Sequence, residues 1–286
     1  MSRCWPAPAK LNLFLQVTGR RPDGYHDLQT VFQLLDFGDD IFLETTSDGV
    51  ISRPEGLAAV APEDDLAVRA ARRLQAACGT RQGAEIRIRK RIPAGGGLGG
   101  GSSDAATVLV GLNHLWGLGW PVERLAALGL ELGADVPVFI HGRSAWAEGV
   151  GERLIPVTLP PACFAVICPD CFVSTAAVFA DPELTRDSAE TTIHGFLSSG
   201  GRNDCEPVVR RRYPAVAAAL DWLGARSGAR ARLTGTGGCV FAQFAALADA
   251  REALADLPRE WTGFVARGLD ESPLLARAGG QVAPVA

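Results

Sequence analysis

The clearest alternation of apolar and charged positions covers residues 85–92. Isoleucines occupy even-numbered positions (Ile86, Ile88 and Ile92), and arginines occupy odd-numbered positions (Arg87, Arg89 and Arg91). Successive side chains of a strand point to opposite faces, so the pattern predicts a half-buried strand. Pro93 ends it, and residues 103–116 then show the apolar spacing of a helix.

Shorter apolar segments predict the other elements of the first half. Residues 10–17, 30–35 and 41–45 predict strands, with turns at 21–24 and 37–40, where Gly, Asp and Pro cluster. Asp64 or Asp65 can cap a helix because an apolar face follows at helical spacing. Pro121 opens a further helix that extends to about Gly133.

Prolines 156, 160 and 161 mark a composition shift, and we expect a domain boundary there, between residues 1–155 and 156–286. The second half predicts a strand at 164–168 and a long helix at 207–225. Two strands around a glycine-rich turn follow within 230–244, then a helix at 245–257 and an extended segment at 264–266. Single strands and hairpins between helices favour an α+β fold in two lobes over a doubly wound sheet.

A glycine-rich loop joins the alternating strand to the helix after it. Residues 95–101 hold six glycines in seven positions, and Ser102 and Ser103 follow. Without Cβ atoms such a loop can turn successive N–H groups towards one anion, and the helix dipole favours the same place. The loop therefore predicts a nucleoside triphosphate site, at which a serine hydroxyl caps the helix or joins Mg²⁺.

Two common phosphate loops are excluded by context. A Walker A loop needs a Lys after its glycines, and none follows here. Gly95, Gly97 and Gly100 do match G-x-G-x-x-G, but a dinucleotide fold needs a buried apolar strand before the loop, and this one alternates with arginines.

Charge and composition narrow the partners. The chain has 286 residues, 47% of them hydrophobic, and a formal net charge of −4. It therefore offers no global attraction for nucleic acid or an anionic membrane. The longest uncharged run, residues 105–122, contains Asn113, His114 and Pro121 and indicates a buried helix and loop, and no signal peptide is visible. We expect a cytoplasmic protein.

Seven cysteines without framework spacing fit reduced thiols. Cys168 and Cys171 form a C-x-x-C pair, but no second ligand pair and no helix start accompany it, so they are expected to be two incidental thiols. The lysines are more informative. Only Lys10 and Lys90 occur among 28 basic residues, which indicates that these two positions need a compact ammonium.

Three ordered segments resemble the GHMP kinases: residues 8–13 (PAKLNL), residues 93–103 and residues 233–239 (LTGTGGC). Segments at 21–26, 133–139, 148–152 and 203–205 make the match closest to the branch that phosphorylates a cytidyl-diphosphate sugar alcohol. The resemblance implies a two-lobed α+β GHMP kinase fold, with an N-terminal nucleotide-binding lobe and a C-terminal α/β lobe. It also implies ATP and Mg²⁺ as cofactors and a small-molecule substrate.

The same resemblance implies the catalytic pair. Asp135 is expected to accept the proton of the substrate hydroxyl, and Lys10 to be its charged partner. A carboxylate beside an ammonium stays ionised and can take that proton. The alternative for Asp135 is a polar residue that satisfies a helix terminus, and the alternative for Lys10 is a solvated strand end.

Further roles also follow from the resemblance. Asn12 is expected to hold the substrate near its reacting hydroxyl. Tyr25, His26 and Phe179 are expected to recognise the cytosine, although Phe179 could equally be core. Thr234 and Gly235 are expected near the phosphates or the lobe interface, unless they form a plain hairpin. The ATP residues implied are Pro93, Ala94, Gly95, Gly96, Gly97, Leu98, Gly99, Gly100, Gly101, Ser102 and Ser103, with Ser103 also on the metal, and Lys90 and Asp65.

One position departs from the family pattern. An amide-bearing Asn is expected at position 65 and Asp65 stands there, which puts the ATP affinity in question. Two alternatives remain: another GHMP kinase of the homoserine or mevalonate type, and a non-catalytic nucleotide-binding protein. A monomer or weak homodimer is expected.

Overall fold

The computed structural model describes residues 4–54, 61, 63–228 and 230–279. Its strands are β1 (Cys4–Arg20), β2 (His26–Thr46), β3 (Ile51–Ser52), β4 (Gly83–Arg89), β5 (Ala145–Gly149), β6 (Arg153–Pro156), β7 (Cys163–Pro169), β8 (Arg232–Leu233), β9 (Val240–Phe244) and β10 (Trp261–Leu269). Its helices are α1 (Leu66–Cys78), α2 (Gly100–Leu115), α3 (Val122–Leu130), α4 (Val136–His141), α5 (Thr175–Phe179), α6 (Ile193–Ser199), α7 (Glu206–Arg212), α8 (Pro214–Ser227), α9 (Leu247–Glu252) and α10 (Pro273–Arg277).

The strands form one mixed sheet in the order β3-β4-β2-β10-β7-β9-β8, and β1 and β5 also pair with β2. Only β3 and β4 run parallel among the ladders between these strands. β10 pairs with β7 along its length and with β2 at its end, so it joins the strands of the two halves. The α+β class is therefore confirmed, whereas the boundary at 155/156 stays a prediction.

The turn predicted at 37–40 is wrong, because β2 continues through it. Gly38 lies against β1, where a Cβ would come within 2.7 Å of the Pro8 Cα atom. Asp39, predicted as a turn residue, instead connects β2 to the segment that follows β4. Asp39 accepts hydrogen bonds from the backbone N–H groups of Arg91 and Ile92, at 2.5 and 2.8 Å. Pairing with β1 on one side and β4 on the other keeps the chain extended.

The long helix predicted at 207–225 is two helices. Pro214 begins α8, and Tyr213 before it has non-helical backbone angles, φ −128° and ψ 83°. Proline disfavours helical angles at the preceding residue, which separates α7 from α8. The predicted strands within 230–244 and at 264–266, and a shorter form of the helix at 245–257, are confirmed.

The expectation of reduced thiols is wrong for one pair. Cys168 at the end of β7 and Cys239 before β9 form a disulfide, with Cα atoms 4.2 Å apart. Ile167 pairs with Val240, so the antiparallel register places these two cysteines opposite each other. Cys171, the other member of the C-x-x-C pair, is free. The 71-residue separation of the bonded pair gave no sign of it in the sequence.

Apolar side chains gather in three clusters. One packs α1, α2 and α4 on the first part of the sheet, and one packs α8 on β7 and β9. The third lies between them and includes Leu11 of β1, Leu98 of the glycine loop and Phe241 of β9. The loop is therefore anchored where the two halves meet. Within the described ranges, no helix has the length and apolar character that a membrane span requires.

Candidate active site

Lys10 lies in the middle of β1, directly against the glycine loop. Its backbone N–H donates to the carbonyl oxygen of Leu98 at 3.0 Å, which ties the strand to the loop. Its ammonium is buried, donates to Oδ1 of Asn12 at 2.5 Å and lies 3.1 Å from Oδ2 of Asp135. The nitrogen also lies 5.2 Å from the centre of the Phe32 ring. Lys10 is therefore no solvated strand end.

Asp135 immediately precedes α4, and its carboxylate does not cap that helix. Its side chain is 33% exposed, whereas that of Lys10 is 3% exposed. The carboxylate therefore faces open space on one side and a buried cation on the other. This arrangement leaves it able to accept a proton from a bound hydroxyl.

Asn12 connects Lys10 to both halves of the fold. Its Nδ2 donates to Oγ1 of Thr30 in β2 at 2.9 Å, which leaves Oδ1 to accept from Lys10. Its backbone N–H donates to Oγ1 of Thr234 at 3.0 Å. Thr234 and Gly235 thus lie near the Lys10–Asp135 ion pair, and Asn203 holds their turn by donating to the carbonyl oxygens of Leu233 and Gly235, at 3.0 and 2.7 Å.

The glycine loop uses its missing Cβ atoms. Gly95, Gly97 and Gly99 have φ angles of +69°, +76° and +74°, a region that side chains disfavour. A Cβ on Gly99 would lie 2.7 Å from Cζ of Phe139. Gly99 caps α2 with no side-chain hydrogen bond, so the first N–H groups of this 16-residue helix keep their donors for a ligand. The loop and helix therefore fit a phosphate chain.

The glycine loop packs against the glycine-rich turn that precedes β9. The backbone N–H of Cys239 donates to the carbonyl oxygen of Gly96 at 3.0 Å, and a Cβ on Gly96 would overlap Sγ of Cys239. A cavity of about 420 Å³ is lined by Pro93, Ala94 and Gly96 of the loop, by the Cys168–Cys239 disulfide and by Phe172.

The two serines after the glycines face different surroundings. Ser103 is fully buried and its hydroxyl donates to the carbonyl oxygen of Pro8 at 2.7 Å. Ser102 instead lines a cavity of about 310 Å³. Within the described part of the chain no cluster of three or more acidic, His or Cys side chains is arranged to hold a metal ion. Of the two hydroxyls, that of Ser102 lies at a cavity and that of Ser103 is engaged within the protein, so the contact of Ser103 with Mg²⁺ stays a prediction.

The cavity of about 310 Å³ that Ser102 lines brings most of the predicted substrate and catalytic residues together. Its other lining residues are Lys10, Asn12, Leu15, Leu28, Thr30, Phe32, Gly97, Ala134, Asp135, Val150, Gly151, Thr175, Phe179, Gly235 and Thr236.

Lys90 and Asp65 are committed to the protein itself. The Lys90 ammonium lies 2.8 Å from Oδ2 of Asp104 and also pairs with Asp39. Asp65 accepts the N–H of Ala67 at 2.8 Å, which caps α1, and pairs with the buried Arg53. The departure from Asn at position 65 is therefore accompanied by a cation, and contacts of Lys90 and Asp65 with ATP stay predictions.

Two of the three predicted base-recognition residues meet. The His26 and Phe179 rings stack with their centres 5.0 Å apart and 23° between their planes. Tyr25 stands at the end of the confirmed turn with its side chain 64% exposed, and its ring meets no other aromatic ring in the described ranges. Arg186, which the sequence did not predict as a site residue, contacts both stacked residues. As one of many arginines outside any motif, it carried no signal.

Known proteins resemble this chain along nearly its whole length. The GHMP kinases N terminal domain profile matches residues 65–143, and the GHMP kinases C terminal profile matches residues 188–263. The 4-diphosphocytidyl-2-C-methyl-D-erythritol kinase of Halorhodospira halophila is 59% identical over 94% of both chains. That of Alkalilimnicola ehrlichii is 59% identical over 98% of this chain and 96% of its own. The chain belongs to the 4-diphosphocytidyl-2-C-methyl-D-erythritol kinase family.

Solved structures agree with this family. A crystal structure of 4-(cytidine 5′-diphospho)-2C-methyl-D-erythritol kinase matches with a TM-score of 0.81 and 35% identity, covering 93% of this chain and 98% of its own. The mevalonate kinase of Methanococcus jannaschii has a TM-score of 0.69 at 16% identity and shares the fold alone, covering 94% of this chain and 99% of its own. The predicted resemblance and the GHMP kinase fold are confirmed, and the protein is an ATP-dependent small-molecule kinase.

Proposed function

We propose that this protein transfers the terminal phosphoryl group of ATP to the 2-hydroxyl of 4-diphosphocytidyl-2-C-methyl-D-erythritol. The observation that carries the proposal is the Lys10–Asp135 pair, 3.1 Å apart, at the wall of a cavity that the glycine loop also lines. The names of the relatives support the substrate, since they are kinases of this compound at 59% identity.

Phosphoryl transfer asks a protein chiefly to position two substrates and to offset negative charge. The N–H groups of residues 95–101 and of the first turn of α2 donate to the phosphates of ATP. Glycines at positive φ keep the backbone close to them. ATP bound by this loop would direct its terminal phosphate towards Lys10 and Asp135, which line the same cavity as Gly97.

Asp135 accepts the proton of the 2-hydroxyl as that oxygen attacks. Lys10 balances the carboxylate charge and stays beside the developing negative charge of the reacting groups. Asn12 fixes the Lys10 ammonium through Oδ1, because its own amide is held by Thr30. The reacting hydroxyl is thereby oriented from one side by β1 and from the other by the residue before α4.

Mg²⁺, which kinases use to neutralise phosphate charge, fits this donor set only in part. The Ser102 hydroxyl is the side chain that would hold it, because the Asp135 carboxylate is assigned to the substrate proton and already pairs with Lys10. Lys10 already compensates Asp135, so the protein supplies little further anionic charge for the ion.

The cytosine end lies beside the stacked His26 and Phe179 rings, where Tyr25 can supply a further aromatic face. We also propose the two lobes at residues 1–155 and 156–286, a cytoplasmic location, and a monomer or weak homodimer.

The deciding experiment measures ADP release by purified protein with Mg²⁺ and ATP. The cytidyl-diphosphate substrate is compared with homoserine and mevalonate at equal concentrations. We expect turnover with the cytidyl compound alone. Turnover with another alcohol would replace the substrate while keeping the kinase, and ATP binding without turnover of any acceptor would contradict catalysis.

A further inference from the structure

A positively charged side chain outside the sequence motifs connects the two stacked rings. Arg186 lies between α5 and α6, and its Nε donates to Nε2 of His26 at 3.1 Å. Its Nη2 donates to the carbonyl oxygens of Phe179 and Asp181, at 2.8 and 2.7 Å, and its Nη1 to that of Leu184 at 3.0 Å. The guanidinium therefore joins the imidazole to the backbone of the residue whose ring stacks on it.

The donor character of Arg186 determines which nitrogen of His26 carries the proton. A guanidinium has five N–H donors, no acceptor, and stays protonated in proteins. Nε2 of His26 must therefore present its lone pair, and the neutral ring carries its proton on Nδ1. Nδ1 makes no hydrogen bond to any residue that the structure describes, so its N–H is available to a ligand.

The surroundings of the ring act in the same direction. Burial lowers the pKa of His26, and the positive charges of Arg186 and Arg20 lower it further. In the described ranges, the four hydrogen bonds of Arg186 go to the imidazole and to carbonyl oxygens, and no carboxylate pairs with it. Burial and the two nearby cations therefore favour the neutral form of His26.

We infer that Arg186 is a positioning residue for base recognition, which holds His26 as the Nδ1–H tautomer and holds Phe179 against it. The inference rests on the proposed function for the identity of the base. Cytosine offers an acceptor at N3, to which an imidazole N–H can donate, whereas the O2 acceptor is common to cytosine and uracil. Uracil carries N–H at N3, and two facing donors repel, so the tautomer selects cytosine over uracil.

The first test uses the unaltered protein, so it does not depend on a variant that folds. Nitrogen NMR of ¹⁵N-labelled protein distinguishes the two neutral imidazole tautomers. The His26 signals are assigned by their loss in His26→Gln, since three other histidines are present. We expect a proton on Nδ1. A proton on Nε2 in the free protein overturns the inference.

The second test compares Arg186→Ala with Arg211→Ala. Arg211 is a matched control because it pairs with Asp181 and Glu183 on the same segment and does not touch His26. In Arg186→Ala we expect the Nδ1–H tautomer to lose its predominance. We also expect the KM for the cytidyl substrate to rise about tenfold, as for a lost charged hydrogen bond, with kcat and the KM for ATP little changed.

A comparison of the cytidine substrate with its uridine analogue distinguishes a role of Arg186 in base recognition from structural support of its segment. We expect the ratio of kcat/KM for the cytidine substrate over its uridine analogue to fall in Arg186→Ala and to stay at the wild-type value in Arg211→Ala. Equal losses in the two variants, with the His26 tautomer unchanged, would mean that Arg186 only supports its segment. If the wild-type protein does not use the cytidyl substrate, the proposed function fails, while the tautomer measurement still decides what Arg186 does to His26.

Discussion

The two lysines of this chain lie next to consecutive glycines, Gly99 and Gly100, but they pair with different carboxylates. A Cβ on Gly99 would lie 3.2 Å from Cε of Lys10, and a Cβ on Gly100 would lie 3.3 Å from Nζ of Lys90. Lys10 meets one carboxylate, Asp135, which is one-third exposed. Lys90 meets two, Asp39 and Asp104, whose side chains are 0% and 6% exposed.

The electrostatics follow from these partners. Burial lowers the pKa of the Lys90 ammonium, but the charges of Asp104 and Asp39 outweigh burial and raise it overall. Burial raises the pKa of the Asp104 carboxyl, and Asp39 adds to this effect while Lys90 opposes it. The Lys90 cluster is thus closed within the protein, whereas the Lys10 pair keeps one open side. A charged side chain beside a ligand-binding loop can take part in catalysis only if neighbouring residues leave one side of it open to the ligand.

The largest expected effect is on the open pair. Asp135→Asn keeps the shape of the side chain but cannot accept a proton, so we expect kcat to fall by about 10³, within the 10²–10⁴ range of general bases. Lys10→Met should lower kcat at least as far, because Asp135 then loses its cation. ADP release measures both, and calorimetric titration with ATP checks that Asp135→Asn still binds the nucleotide. A kcat near wild type in Asp135→Asn would remove this residue from the mechanism.

The second-largest effect is a loss of stability when Lys90 is removed from its cluster with Asp39 and Asp104. Lys90→Met removes the cation that pairs with both Asp39 and Asp104 and leaves these two carboxylates buried together, which should cost about 3–5 kcal/mol of the free energy of unfolding. Urea denaturation measures this cost. The double variant Lys90→Met/Asp104→Asn removes one of the stranded charges and should recover part of the loss. An unchanged urea midpoint in Lys90→Met would show that the cluster does not stabilise the fold.

The loop and its two lysines could be predicted because their signals are local. Six glycines in a row of seven, bounded by a strand and a helix, can be read within twenty residues. The scarcity of Lys marked both positions, yet it did not separate them, since each role depends on carboxylates far along the chain. Asp135 is 125 residues from Lys10, and Asp39 is 51 residues from Lys90.

Long-range placement explains what the sequence could not predict. Asp39 looked like a turn residue, because a strand that passes straight through Gly38 is visible only when β1 and β4 flank it. Arg186 had no distinguishing neighbour, although it touches His26, 160 residues earlier. The disulfide likewise depends on the register of β7 and β9.

A smaller effect separates the two glycines next to the lysines. Gly99→Ala places a side chain at φ +74° and 2.7 Å from the buried Phe139 ring, so we expect about 1–3 kcal/mol of strain, with weaker ATP binding. Gly100→Ala is the matched control. Its Cβ would meet Ile92 at 3.1 Å and the Lys90 ammonium at 3.3 Å, at the start of a helix that favours Ala. Equal ATP affinities and unfolding midpoints in the two variants would contradict a cradle centred on Gly99.

The smallest effect expected is the loss of stability in Lys90→Arg. A guanidinium can donate to two carboxylates at once, so the charge balance with Asp39 and Asp104 survives and the cost should stay near about 1 kcal/mol, mostly from crowding at Gly100. Lys10→Arg keeps its charge equally well, but the wide fork cannot take the place of a compact ammonium between Asn12 and Asp135, so turnover should still be lost. Urea denaturation and ADP release, applied to both variants, compare the two positions directly. If Arg at position 10 supported turnover, charge alone would suffice there, and the retention of Lys in a chain that otherwise uses Arg would need a different cause.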